Sequence, residues 1–263
     1  MTGSGDACAP RRPPVWSYWV VLPALVVLWV IVARILHTPL LPAPAEVLDT
    51  LIREADSGDL WYHLGATLQR VLLAFFLAMA LGSGIGLAMG RSRMTNALFD
   101  PLLVLLLNLP ALVTIILMYV WFGLVESAAV MAVVINKVPS VAVTVREGAR
   151  SLDYRLEEMA TVYRFSRWQR FREVWIPQLF PYLMAATRGG LALIWKIVLV
   201  VELLGRSNGV GFQLHMAFQV FDVAAILAYS LSFILVVQLI ELIILQPLER
   251  RSGRWRQPEQ AHA

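Results

Sequence analysis

Charged side chains are scarce in this 263-residue sequence. Asp, Glu, Lys and Arg make up 15% of it, against about 25% in an ordinary soluble domain. A chain that poor in charge has too little polar surface for a soluble globule of its size. Cysteine is nearly missing: Cys8 stands alone, which excludes an internal disulfide and a thiolate metal cluster. The four histidines, at 37, 63, 215 and 262, show no metal-binding spacing such as HExxH. No GxxxxGK[ST] run occurs, so the chain does not bind ATP through a phosphate-cradling loop. No Ser-His-Asp set and no carboxylate pair can be argued from spacing, and no catalytic residue is expected.

What the sequence has in quantity is apolar length. Apolar residues make up 59% of it, and the mean hydropathy is +0.68. A bilayer core needs about 20 such residues as helix, and backbone groups in lipid must be satisfied within the segment. An all-α integral membrane fold follows, with six transmembrane helices expected at about 15–36, 66–90, 101–122, 126–146, 180–203 and 223–246. Two arginines precede the first run, as in a signal peptide, but that run is too long for a signal-peptide core. Residues 1–14 and 247–263 are read as tails.

The segments between the spans alternate in charge. Arg11 and Arg12 precede the first, Arg91 and Arg93 follow the second, and Arg250, Arg251, Arg254 and Arg256 follow the sixth. The segment 147–179 carries Arg150, Arg155, Arg164, Arg167, Arg170 and Arg172, with Arg146 just before it. The opposite-side segments hold only Arg53 and Arg206. The positive-inside rule puts both termini and 147–179 on the cytoplasmic side.

That long polar loop predicts structure of its own. Asp153 can cap a short helix, with Glu157 and Glu158 near its positive end. Leu156, Met159, Ala160 and Tyr163 form one apolar stripe on it. Ser166-Arg167-Trp168-Gln169 fits a capping box that starts a second helix, with Trp168, Phe171 and Trp175 on one face. Pro177 is expected to end that helix, and the next span to begin near Phe180. An exposed apolar stripe on such a loop implies a partner.

The same stretch resembles the EAA loop of ABC-importer permeases, a motif running E-A-A, three residues, G, nine residues, I-x-L-P. Here Glu158-Met159-Ala160 is followed, at matching spacing, by Arg164 and by Val174-Trp175-Ile176-Pro177. Met159 and Arg164 depart from the pattern, Arg164 replacing a glycine that permits a left-handed turn. LPAPAEVL at 41–48, Asp100-Pro101, WFG at 121–123 and VVELLGRSNGVG at 200–211 resemble the nitrate/sulfonate/taurine-type branch. The resemblance covers about residues 40–250. It implies a pore-forming subunit that works as a homodimer with a second permease copy. It also implies an ATP-binding-cassette ATPase subunit beneath, holding ATP and Mg, and a periplasmic or lipid-anchored solute-binding protein that delivers the substrate. Glu158, Met159, Ala160, Arg164 and Pro177 would couple this chain to the ATPase. No cofactor is expected in this chain, and no nucleic acid.

Other residues carry expectations from chemistry. Lys196 and Arg188 fall in the fifth span, where charge is costly and defaults to function. Lys196 is a candidate pore residue for an anion, the partner of a carboxylate such as Glu202 or Glu241, or a snorkelling side chain. A same-helix pair with Glu202 is disfavoured, because six residues turn about 240° around a helix. Asn136 and Lys137 in the fourth span carry the same two readings, pore or structure, with structure favoured. Asn108 and Pro110 interrupt the third span and mark a kink, near a pore or in packing. Asn108 and Glu202 join Lys196 as candidate pore residues. Gly82, Gly86 and Gly90 recur every four residues, a spacing that lets helices pack closely. The segment 205–222 reads as a re-entrant lip on the outer side.

Together these predict the permease of an ATP-driven importer for a small anionic or sulfonate-like solute. An ion-coupled secondary transporter would need paired half-repeats with broken helices and midplane ion ligands. A membrane-anchored interaction protein, with 157–177 binding nucleic acid or a soluble partner, is permitted by the basic and aromatic mix there, but the positive-inside rule already explains the arginines.

Overall fold

A computed structural model describes residues 16–36, 38 and 40–247. The two tails, including Cys8, Arg11, Arg12, the arginines at 250–256 and His262, lie outside the described residues, as does His37. Everything described is helix or short connection; no strand occurs among the described residues. The helices are α1 (Trp16–Leu36), α2 (Pro44–Ser57), α3 (Asp59–Arg91), α4 (Arg93–Asn108), α5 (Ala111–Phe122), α6 (Glu126–Arg150), α7 (Tyr154–Val162), α8 (Arg167–Gln169), α9 (Ile176–Gly205), α10 (Val210–Gln219) and α11 (Val223–Ile240).

Helices α3, α6, α9 and α11 form the packed body. Its core runs from Val71 and Ala74 of α3, through Ala128, Ala132 and Val133 of α6, to Ile194 and Val198 of α9 and Tyr229 of α11. The alanines and glycines let α3 and α6 approach closely along their length. A Cβ on Gly82 would sit 2.6 Å from Val141 Cβ, one on Gly86 2.4 Å from the Ala142 carbonyl, and one on Gly90 2.4 Å from Ala149 Cβ. Without a hydrophobic drive between helices in lipid, this close contact is what holds them together. At one end of the body lie α7 and α8, here called the loop end. At the other lie α10 and the starts of α3, α6 and α11.

The crossings differ from the expected division. Four helices are long and apolar enough to cross a membrane: Asp59–Arg91, Glu126–Arg150, Arg167–Gly205 and Val223–Ile243. The expected third span, 101–122, is two helices, α4 and α5, bent by 99° at the break. Leu109 and the Pro110 that caps α5 leave the helical conformation there, so the interruption at Asn108 and Pro110 is a corner, not a mild kink. Counted as one broken span, the pair makes a fifth crossing. Of α1, the stretch Pro23–Leu36 is an apolar helix. The α1 indole Trp29 Nε1 donates to the Pro42 carbonyl at 3.1 Å, just ahead of α2.

Pro177 does not end a helix. The chain is continuous helix from Arg167 to Gly205, 39 residues, with a π-helical turn over Arg170–Trp175 placed directly before the proline. A proline lacks the N–H donor and its ring crowds the carbonyl four residues back. The wider π turn, in which Ile176 N donates to the Phe171 carbonyl, absorbs that misfit without breaking the rod. The loop segment 147–179 is therefore not a separate module: α6 enters it and the long helix leaves it.

Candidate functional site

At the loop end, Asp153 caps α7 as expected, its Oδ1 accepting from Arg155 N at 2.8 Å. Its own N–H donates to Gln178 Oε1 at 2.8 Å, which ties the start of α7 to α9. Ser166 and Gln169 close the predicted capping box from both sides. The Trp168, Phe171 and Trp175 rings follow one another with centroids 5.9 and 6.2 Å apart.

The two adjacent glutamates of α7 have different fates. Glu157 points inward, where Arg91 at the end of α3 grips it with both guanidinium nitrogens, Nη1 to Oε2 at 2.9 Å. The same guanidinium lies 4.6 Å above the Trp175 ring, a cation–π contact. The Arg91 hydrogen bonds hold the Glu157 carboxyl below its usual range, against the opposing effect of burial. Glu158, the motif glutamate, is exposed.

The expected apolar stripe of α7 splits in the same way. Ala160 is fully buried, while Leu156, Met159 and Tyr163 are exposed. After α7 the chain reverses at Arg164, whose φ is 53°. This is the left-handed conformation that the motif glycine would adopt freely. It is closed by Arg164 N donating to the Thr161 carbonyl at 3.1 Å and Phe165 N to the Ala160 carbonyl at 2.9 Å. Arg164 thus adopts a left-handed turn itself.

At the opposite end the polar groups converge on Arg70, whose side chain is 4% exposed. Its Nε donates to Glu126 Oε1 at 2.6 Å, at the start of α6. Its Nη1 donates to Glu202 Oε1 at 2.7 Å, near the end of α9, and to the Asn208 carbonyl at 2.9 Å. Glu202 is fully buried and filled on all sides. Thr67 Oγ1 and Gly211 N each donate to its Oε2 at 2.9 Å. His63 Nδ1 accepts from Gly209 N at 3.0 Å, and Thr67 Oγ1 accepts from Val210 N at 2.8 Å. Arg206 bridges Glu126 and the Leu124 carbonyl. Desolvated charges survive only when paired and hydrogen-bonded, and here each buried charge meets the other.

Glu202, considered as a pore residue, is fully buried within this network. The network pins the stretch 205–211, which the glycines fit: Gly209 has φ 108°, and its hydrogen stands where a Cβ would fall 2.3 Å from the Glu202 carboxyl.

The remaining polar residues are spread along the body. Lys137 is buried and reaches the Gly189 carbonyl at 3.5 Å. Asn108 is exposed and donates to Val104 O at 2.7 Å, closing the last turn of α4. Lys196 is exposed on α9, in the wall of a cavity between α9 and α11. His215 meets Gln219 at 3.0 Å. No group of three metal-ligating side chains forms among the described residues.

Sequence reasoning missed Arg70 and Arg91. Both had a readable signal. Arg70 stands one turn into an apolar span at the depth of Glu126 and Glu202. Arg91 ends a span on the same side as the polar loop.

A helical membrane body with an ordered, partly exposed helical loop at one end is the architecture of a transport subunit, and the comparisons identify which kind. The family model for binding-protein-dependent transport system inner membrane components matches residues 80–246, and the chain belongs to that family: it is the permease subunit of an ABC importer, with ATP hydrolysis done by a separate subunit. The taurine transport system permease protein of Escherichia coli (strain K12) is 30% identical over 237 residues, 88% of this chain and 86% of that one. A Bacillus subtilis (strain 168) protein named for aliphatic sulfonates transport is 29% identical over 244 residues, 92% and 88% of the two chains. Among solved structures, the fold is similar to the MetNI methionine ABC transporter in an inward facing conformation, with TM-score 0.59, 14% identity and coverage of 73% of this chain and 93% of that one. It is also similar to an amino acid ABC transporter with histidines, with TM-score 0.61, 21% identity and coverage of 76% and 97%.

Proposed function

We propose that this permease carries a small anionic or sulfonate-like solute. In this reading two copies form the pore, and a periplasmic or lipid-anchored binding protein hands the solute over. A partner ATPase binds ATP and Mg and drives alternating access. Both termini and the loop end face the cytoplasm of a bacterial inner membrane, and six crossings complete the subunit. The names of the relatives support the solute class, and the arginine distribution supports the orientation.

The observation that carries the coupling role is the division of labour on α7. Glu157 and Ala160 are turned inward and anchor the helix, while Glu158, Leu156, Met159 and Tyr163 are left exposed on a helix held at both ends. An apolar face with one acid at its edge suits a cleft on a partner. Arg164 sets the turn that follows, and Pro177 lies inside the long helix just after its π turn. Movement of α7 passes to α3 through Arg91 and to α9 through Gln178.

The test is purification of the chain from its native membranes in mild detergent. A P-loop ATPase is expected to co-purify at equal stoichiometry, and Glu158→Lys is expected to lower its yield and to uncouple ATP hydrolysis from uptake. Full uptake by Glu158→Lys contradicts the assignment of α7.

A further inference from the structure

In the α9–α11 cavity the Lys196 and Gln238 side chains have no hydrogen-bond or ion-pair partner among the described residues, whereas Arg188 is engaged. Its volume is about 340 Å³, within the ~300–1,000 Å³ of small-molecule sites. Trp195 and Phe233 form its apolar wall, their rings edge to face with centroids 5.7 Å apart. Arg188 and Lys196 line it from α9, Gln238 from α11, and Glu241 from the π-helical turn that continues α11. Arg188, Lys196 and Gln238 are exposed.

Depth decides what this means. Lys196 lies nine residues before the end of α9 at Gly205, about 14 Å along the helix. That is close to half the ~30 Å hydrocarbon thickness. A lysine exposed at that depth is costly against lipid chains, which favours a polar occupant beside it. The Arg70 network shows how this fold treats an ion it means to bury, and Lys196 is not treated so.

We propose that this cavity is a binding site for a small organic anion on its way through the permease. The oxyanion head sits at Lys196 with Gln238 as a further donor, and the short carbon chain lies against Trp195 and Phe233. Glu241, at the loop end of the cavity, repels a bare anion and favours a solute that also carries an amino group. The inference rests on the importer reading above and adds to it the residues that select the solute.

The site is tested by thiol labelling of the whole importer in nanodiscs. Cys8→Ser gives a cysteine-free chain, and Ile234→Cys puts one thiol in the cavity wall. An anionic and a cationic methanethiosulfonate reagent are compared, each rate divided by that with a free thiol. The anionic reagent is expected to be favoured by about tenfold, the scale of charge focusing in a cleft. Lys196→Met should abolish that preference and Lys196→Arg should keep it. Ethanesulfonate should slow labelling, and the neutral ethyl methyl sulfone should not. No labelling at Ile234→Cys, a preference unchanged by Lys196→Met, or equal protection by both solutes overturns the site. Co-purification of the ATPase with each variant is scored separately: its loss in the Cys8→Ser parent counts against the importer reading, and its presence with a failed labelling pattern counts against the site alone.

Discussion

At Arg164 an arginine holds a conformation that costs an L-residue roughly 1–2 kcal/mol, with φ at 53°. Glycine would remove that strain but lose about 0.5–1 kcal/mol of chain entropy. Arg164→Gly is therefore expected to raise stability by about 0–1.5 kcal/mol, and Arg164→Val to lower it, since a branched Cβ fits the left-handed region worst. Melting of the detergent-solubilised protein distinguishes them. Arg70 makes the opposite case. Arg70→Met leaves the fully buried Glu202 carboxylate without its counter-ion, an expected loss of about 3–5 kcal/mol. The double variant Arg70→Met with Glu202→Gln should recover part of it. The Glu157–Arg91 pair carries a pH dependence. The Glu157 carboxyl is held low in the folded chain, mainly by hydrogen bonds from Arg91. Its stabilising effect is thus fully present above the usual carboxylate range of about 4.3 and is lost as pH falls through the lower folded value. Proteolysis within 147–179 should be insensitive to pH around neutrality, rise only in that acid window, and rise at neutral pH in Arg91→Ala.

On the scale of elements, the glycine row shows how small residues set helix spacing. A Cβ on Gly86 would lie 2.4 Å from a backbone carbonyl of α6, whereas a Cβ on Gly84, half a turn away, meets nothing within 4 Å. Gly86→Ala is expected to force the helices apart at about 1–3 kcal/mol. Gly84→Ala is expected to be neutral or stabilising by up to about 1 kcal/mol. The yield of folded protein in a gel-filtration assay reads the difference. Helix content and the capping residues Asp153, Ser166 and Gln169 were legible from periodicity and local side-chain chemistry. The continuous rod through Pro177 was not, because a proline's local signal says stop and only a π turn in the next residues cancels it. The 99° corner at Leu109–Pro110 was legible as an interruption but not as an angle, which depends on what α5 packs against. Likewise, Glu202 reads in one dimension as an intramembrane charge open to a pore; its enclosure by Arg70, Thr67 and Gly211 comes from helices far apart in sequence.

Across the whole molecule, two polar clusters frame an apolar body. The one around Arg70 and Glu202 closes the end where 205–211 is pinned, and the one around Arg91 and Glu157 fastens α7 to the other end. Rigid helices α3 and α9 run between them, so a push on α7 has a solid path through the body. Family membership was legible in the sequence because the motif spacing survives without gaps; the division between Glu157 and Glu158 was not, since adjacent acids look alike until the helix is placed against Arg91. The most direct measurement is a cross-link. With Glu158→Cys in a Cys8→Ser background, a short thiol–amine cross-linker is applied to the assembled importer in the absence and presence of ATP. A cross-link to the ATPase subunit whose yield changes with ATP is the predicted result. An intact complex that gives no cross-link from position 158, in either state, contradicts α7 as the coupling element.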